Sequence, residues 1–214
     1  MNSPQLCFLA LEPDEQFGKR VIAYKRQVRQ LVGDQLYLDH PPHLTLLVAA
    51  FPPGVDLSDA VAGVAAGATA PTVGTCGWHV FERDRLTGRN TLVCDVSPEG
   101  RRVLEEIQRR AVAAVAPLRD PVATRSRYDT AWQGLSEAER AGVEAFGFPF
   151  VGPAWHPHVT IASVRREDWH RVWPDLAADP PVATVCFHHL AVYRVADTRP
   201  VLVERFAFAR LTSG

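Results

Sequence analysis

Lysine is nearly absent from this sequence: only Lys19 and Lys25 occur, so arginine supplies the other 21 of the 23 basic side chains. Against 24 acidic residues the formal charge is −1, which excludes the broad basic footprint that duplex DNA requires. A local arginine-lined cleft stays open, since guanidinium is the better bidentate partner of phosphate, although coding bias gives the same ratio. Cysteine is scarce. Cys7, Cys76, Cys94 and Cys186 are widely scattered, with no CxxC pair and no neighbouring His at ligand spacing, so a zinc ribbon is excluded. Three of them stand in apolar runs and read as reduced thiols of a cytoplasmic protein. No apolar run approaches the roughly 20 residues of a membrane span. The opening MNSPQLCFLALEPDE lacks the basic start and full apolar region of a signal peptide. A Gly-rich phosphate loop is missing as well, because the first apolar run ends in Glu12-Pro13-Asp14-Glu15, and Rossmann or P-loop nucleotide binding loses its main signature.

What is present is ample core material: 47% hydrophobic residues in 214, enough for one large domain or two intimate lobes. Leu6–Leu11 reads as a buried strand and 14–31 as an amphipathic helix, with Phe17, Val21, Tyr24, Val28 and Leu31 on one face, Asp14 as cap and Gly33 as stop. A second strand is expected over 43–50 and a short helix over 59–66 capped by Ser58. Residues 73–82 and 90–96 form a hairpin, and Ser97-Pro98 opens a helix that stops before Pro117. Residues 119–134 show no clean period and read as a surface loop or lid. A capping box at Ser136 starts a helix to about Phe146, stopped by Gly147. A strand over 158–164, a helix over 168–177 and strands over 187–195 and 201–211 complete an α+β order.

Two segments repeat one another: Pro42-His43-Leu44-Thr45-Leu46 and Pro157-His158-Val159-Thr160-Ile161. From the abundance of Pro, His and Thr, one chance Pro-His-x-Thr has an expectation of about 0.04 and two of about a thousandth. In a strand, side chains alternate faces, so each motif turns its His and Thr to one side and its apolar pair to the core. Two such strands across a cleft put two imidazoles and two hydroxyls around one anion. A histidine pair supplies general base and general acid near neutral pH. The hydroxyls donate to non-bridging oxygens as charge builds on phosphorus. This equipment suits phosphodiester transfer without a metal. The plain alternative, two buried histidines capping strands, leaves the duplicated threonines unexplained.

With these motifs the sequence resembles the 2H phosphoesterase superfamily, which includes RNA 2′,3′-cyclic phosphodiesterases and 2′-5′ RNA ligase-like proteins. Its defining feature is a pair of His-x-Thr/Ser-apolar motifs, one from each pseudo-symmetric lobe. The opening strand-helix-strand unit, Phe148-Pro149-Phe150 and the terminal run Leu190-Ala191-Val192-Tyr193-Arg194 extend the likeness. The resemblance implies a single bilobal domain over 1–214, two antiparallel-rich sheets facing a central cleft with helices outside, and a lid insert at 119–150. It implies His43 and His158 as acid and base, Thr45 and Thr160 as phosphate contacts, and Tyr193 as a wall for a base or ring. The expected reaction is hydrolysis of a 2′,3′-cyclic or related cyclic phosphate with no metal or cofactor. The expected partner is a small phosphorylated substrate or a nucleotide or RNA end, met by a monomer with no membrane association. The long insert leans towards less characterised relatives, some linked to phosphonate metabolism. Two alternatives follow: a phosphorylated-ligand binding module, or the same scaffold recruited to another reaction on a phosphorylated or phosphonate metabolite.

In the insert, Arg125, Arg127, Tyr128 and Trp132 combine cations with π-faces, which suits a phosphorylated ring. A solvated loop anchored by one aromatic explains the same residues. His156 lies two before His158, so a metal pair is conceivable, but a proline intervenes and the local motif has no carboxylate. His40 reads as a loop residue, His79 and His170 as surface or interface residues, and His188 and His189 point to opposite faces. Tyr193 and Arg194 likewise point opposite ways. Phe146, Phe148 and Phe150 read mainly as core packing.

Overall fold

A run such as Leu6-Cys7-Phe8-Leu9-Ala10-Leu11 has no polar face, so it needs cover on both faces and neighbours on both edges. The computed structural model, which describes residues 3–209, makes it the centre of β1 (Gln5–Pro13), flanked by β2 (Leu44–Phe51) and β6 (Val182–Ala196), both antiparallel. The hairpin of β3 (Thr72–Phe81) and β4 (Asn90–Val96) forms as the sequence indicates, with β5 (His158–Val164) beside β4 and β7 (Arg199–Ala207) beside β6.

The two expected sheets are halves of one seven-stranded antiparallel sheet. In one half the order is β2-β1-β6-β7, in the other β5-β4-β3-β6. Strand β6 belongs to both, because Val182 to Cys186 pair with β3 and the residues from Phe187 onward pair with β1. It is longer than expected because its first residues are partly polar and pair only with the second half. At the other junction β2 and β5 meet at a single pair, Leu44 with Val159, so the two motif strands touch and then splay.

Helices α1 (Glu15–Val32), α2 (Ser58–Ala66), α3 (Pro98–Val115) and α6 (Trp169–Ala177) pack over the outer face, where Leu9, Leu11, Leu44, Leu46, Val159 and Ile161 join one apolar core. Asp14 accepts the Phe17 amide to start α1, as expected. Ser58 does not cap α2. It is the first helical residue, and its hydroxyl donates to Glu204 on β7 at 2.7 Å, a partner 146 residues away that no local pattern reveals. Residues alternating with Leu9 and Leu11, namely Phe8 and Ala10, face the other way into a small cluster with Ala191 and Tyr193. That inner face carries the motifs. Among the described residues no helix is long and apolar enough to cross a membrane. The tail of the expected last strand, Arg210 and Leu211, lies outside the described residues.

The stretch 119–134 is not irregular: α4 (Pro121–Ser126) and a 3-10 turn at Trp132–Gly134 occupy much of it. A six-residue helix is too short to show a period, yet Asp120 accepting the Ala123 amide and Pro121 in the first turn are ordinary start signals. Helix α5 (Glu137–Phe146) follows from the Ser136 capping box. It ends at Gly147, whose φ of 83° is left-handed and where a Cβ would lie 2.7 Å from both Arg119 Cδ and Thr124 Cγ2. Of the three phenylalanines, Phe148 is core and Phe150 packs against it, while Phe146 is 38% exposed.

Candidate active site

The antiparallel pairing of Leu44 with Val159 buries these two residues and turns their neighbours to the inner face. By the same register His43 stands on the side of Thr160, and Thr45 on the side of His158. The four residues thus form a quadrilateral with like residues at opposite corners, the geometry of an approximate twofold through the Leu44–Val159 pair. All four are half-buried.

Both histidines are held alike. His43 Nδ1 lies 2.7 Å from the Pro41 carbonyl and His158 Nδ1 lies 2.7 Å from the His156 carbonyl, each the oxygen of the residue two before. A carbonyl only accepts, so each Nδ1 carries the proton and each Nε2 keeps its lone pair in the neutral ring. Among the described hydrogen bonds neither the Thr45 nor the Thr160 hydroxyl is engaged, so both are free to donate.

Each imidazole also leans on an aromatic ring from its own half: Phe8 of β1 at 4.9 Å from His43, and Phe81 of β3 at 5.2 Å from His158. Desolvation by these walls is the main reason that the pKa of His43 falls to about 3 and that of His158 to about 4. The carbonyl hydrogen bonds oppose the fall. Lys25, His40 and His158 add to it at His43. At His158, His156 and His79 deepen it and Asp95 opposes it. Both rings are neutral at pH 7 while no anion is bound.

Tyr193 lies on the inner face and Arg194 points away into solvent. The Tyr193 ring stacks on Phe8 at 4.9 Å and stands 6.2 Å from the His43 ring. It is 2% exposed, so it underlies the wall of the cleft without opening a stacking surface. Its hydroxyl donates to Glu12, which also accepts from Arg205.

The four insert residues are placed differently from one another. Tyr128 is buried with Leu135 and Val143 in a separate small core. Arg125 pairs with Asp129 and sits 3.4 Å over the Trp132 ring. These three are committed to contacts inside the insert. The insert is anchored to β2 at Ala50, where Asp120 N–H and Thr124 Oγ1 donate to the Ala50 carbonyl and the Ala50 amide donates to Thr124 Oγ1. Ala50 is five residues beyond Thr45, about 17 Å along a strand. Arg127 is exposed, and its side chain makes no hydrogen bond or ion pair among the described residues. Elsewhere, burial is the main cause that raises the pKa of Tyr37, with Asp84 adding to it and Arg127 and Arg89 opposing. Tyr37 in turn contacts His40, whose ring stacks 6.2 Å from His43.

Sequence reasoning missed Phe8, Phe81, His40 and Asp95. Phe81 and Asp95 come from strands far from their motif, whereas His40 stood three residues before one. The carboxylate that the His156 motif lacks locally arrives from β4, where Asp95 Oδ1 is 2.7 Å from His156 Nε2. His156 therefore turns to Asp95, and its backbone, not its ring, serves His158. His79, expected at the surface or an interface, lies against the His156 ring at 4.6 Å with the two rings tilted.

A family model described as the 2′-5′ RNA ligase superfamily matches residues 13–199. Among solved structures the chain is similar to Escherichia coli LigT complexed with NADP+, at 15% identity and a TM-score of 0.54, over 98% of this chain and 100% of that one. LigT complexed with 3′-AMP matches at 15% identity and 0.53, over 97% and 100%. The protein TT0787 of Thermus thermophilus matches at 18% and 0.50, over 95% and 97%. At such identities the likeness is one of fold. No curated protein matches the chain.

Proposed function

This chain belongs to the 2′-5′ RNA ligase superfamily, within the 2H phosphoesterases, and from that premise we propose that it is a metal-independent phosphodiesterase acting on a 2′,3′-cyclic or related cyclic phosphate. The observation that carries the reading is the matched pair of Nδ1–carbonyl hydrogen bonds, which leaves one Nε2 on each motif histidine for proton transfer.

One imidazole accepts a proton from the attacking water as its oxygen bonds to phosphorus. The other, as imidazolium, gives a proton to the oxygen that leaves as the ring P–O bond breaks. The products are a phosphomonoester and a free hydroxyl, and proton exchange with water resets the pair. Thr45 and Thr160 donate to the non-bridging oxygens, where charge grows in the transition state. An empty cleft holds both rings neutral, so the acid must acquire its proton with the substrate. The anionic phosphate supplies the opposite charge that raises a histidine pKa.

The ligand class is a small phosphorylated molecule, in keeping with the NADP+ and 3′-AMP in the LigT structures. Tyr193 backs the wall beside His43, and Arg127 is the insert residue free to meet a second charged group. Turnover of a panel of cyclic phosphates, followed by 31P NMR, tests the reading. Conversion to a phosphomonoester, lost in the His43→Ala and His158→Ala variants, supports it. Tight phosphate-dependent binding with no product after long incubation would replace it with the binding-module reading.

A further inference from the structure

Beside the motif quadrilateral, three adjacent strand segments bring different donors together. His79 stands on β3, Asp95 on β4, and His156 just before β5. Their ligating atoms lie within 4.8 Å of one another, the one such trio among the described residues. The sheet register explains the convergence: His79 pairs with Val93 and Asp95 pairs with Gly77, so His79 and Asp95 share the inner face one step apart. Because the residue opposite Asp95 is a glycine, no side chain covers the carboxylate from that strand.

We propose that His79, Asp95 and His156 bind one transition cation of the zinc class, at a site next to His158 that the phosphodiester chemistry itself does not use. The donor set is two imidazole nitrogens and one carboxylate oxygen, borderline-soft ligands that suit zinc and not magnesium, which prefers all-oxygen shells. Three protein ligands leave an open position for water. Zinc holds such atoms at about 2.0–2.2 Å, hence a little over 3 Å apart in a tetrahedron. The Asp95–His156 pair at 2.7 Å is already near that spacing. All three side chains are half-exposed, so His79 can swing the remaining distance. Among the described hydrogen bonds the His79 imidazole has no partner. It is held only by ring contacts, with His156 and with Phe81 at 4.5 Å. A purely structural account needs Asp95 to fix His156 but leaves His79 without a task.

The test is uptake of Zn2+ by chelator-stripped full-length protein in equilibrium dialysis, together with the visible absorption of bound Co2+. The wild type should take up one equivalent that excess Mg2+ does not displace. His79→Ala and Asp95→Asn, each checked for native circular dichroism, should bind at least about tenfold more weakly. No saturable uptake by the wild type would overturn the proposal. Undiminished uptake by His79→Ala would also overturn it, as would loss of binding only in His158→Ala, because the ion would then lie elsewhere or between the motif histidines. Since binding is read directly, failure of the phosphodiesterase reading leaves this test intact.

Discussion

Trp155 donates its indole N–H to the backbone carbonyl of Thr45 at 3.2 Å, so the residue three before the second motif grips the first. Strands β2 and β5 share one ladder pair, and the hydrogen bonds that further pairing would supply come instead from side chains. The buried Gln108 of α3 adds to this brace, donating to the Phe150 carbonyl at 2.9 Å and to the Leu46 carbonyl at 3.3 Å.

Trp155→Phe keeps most of the ring and removes the donor. It should cost about 1 kcal/mol of stability, from the loss of this part-buried hydrogen bond. It should also lower kcat more than it raises KM, since the spacing of the two motifs bears on proton transfer. Urea denaturation and steady-state kinetics on the variant check both; unchanged kinetics would show that the brace is structural only.

His43→Ala and His158→Ala should each lower kcat/KM on the best cyclic phosphate by about 10² or more, as expected for a general acid or base. EDTA should leave wild-type hydrolysis unchanged. Full activity of the double variant, or abolition by EDTA, would refute the acid–base assignment.

Acidification should destabilise the empty protein through the same two residues. In the folded state their pKa values lie near 3 and 4, below the ordinary 6.5, so the unfolded chain binds more protons between those limits. The stability they contribute is fully present above pH 6.5 and is lost as pH falls towards 4. The slope is at most about 1.4 kcal/mol per pH unit for each histidine, and less for half-exposed groups. A Tm series from pH 7.5 to 4.5 should show a flatter acid slope for His43→Gln, and added inorganic phosphate should protect most at the acid end.

Lys25 lies on the buried face of α1, donates to the Tyr37 carbonyl at 2.6 Å and has its pKa lowered by desolvation to about 7. The unfolded chain therefore holds this proton up to about pH 10 and the folded chain does not, so the lysine makes stability rise with pH above 7. Lys25→Met should flatten that rise; an unaltered profile would mean that the ammonium reaches water.

Arg127→Ala should weaken binding of a mononucleotide cyclic phosphate several-fold without changing Tm, with a shallow salt dependence because few phosphates are engaged. Arg125→Ala should instead lower Tm through its lost contacts to Asp129 and Trp132 and spare affinity. Isothermal titration and thermal melts separate the two. Tighter binding of structured RNA with a steep salt slope would indicate an extended surface.

The parts legible in the sequence were those set by neighbours in the chain. Alternation on a strand turned His43 with Thr45, and His158 with Thr160, to one side; Asp14, Ser97 and Ser136 cap their helices by accepting from the amide three residues on. Tertiary structure decided what depends on contacts between distant residues. Strand β6 was read short because its first five residues, Val182 to Cys186, pair in the other half of the sheet. His156 lacked a carboxylate until β4 brought Asp95, and His79 looked idle until the register set it beside both. Lys25 broke an otherwise apolar helix face, because its partner, the Tyr37 carbonyl, belongs to a loop packed over that face. Arg125, Tyr128 and Trp132 resembled ligand contacts by residue type, and packing within the insert claimed them instead. Local periodicity assigns a side chain to a face; only the pairing of strands and the closing of loops determines what that face meets.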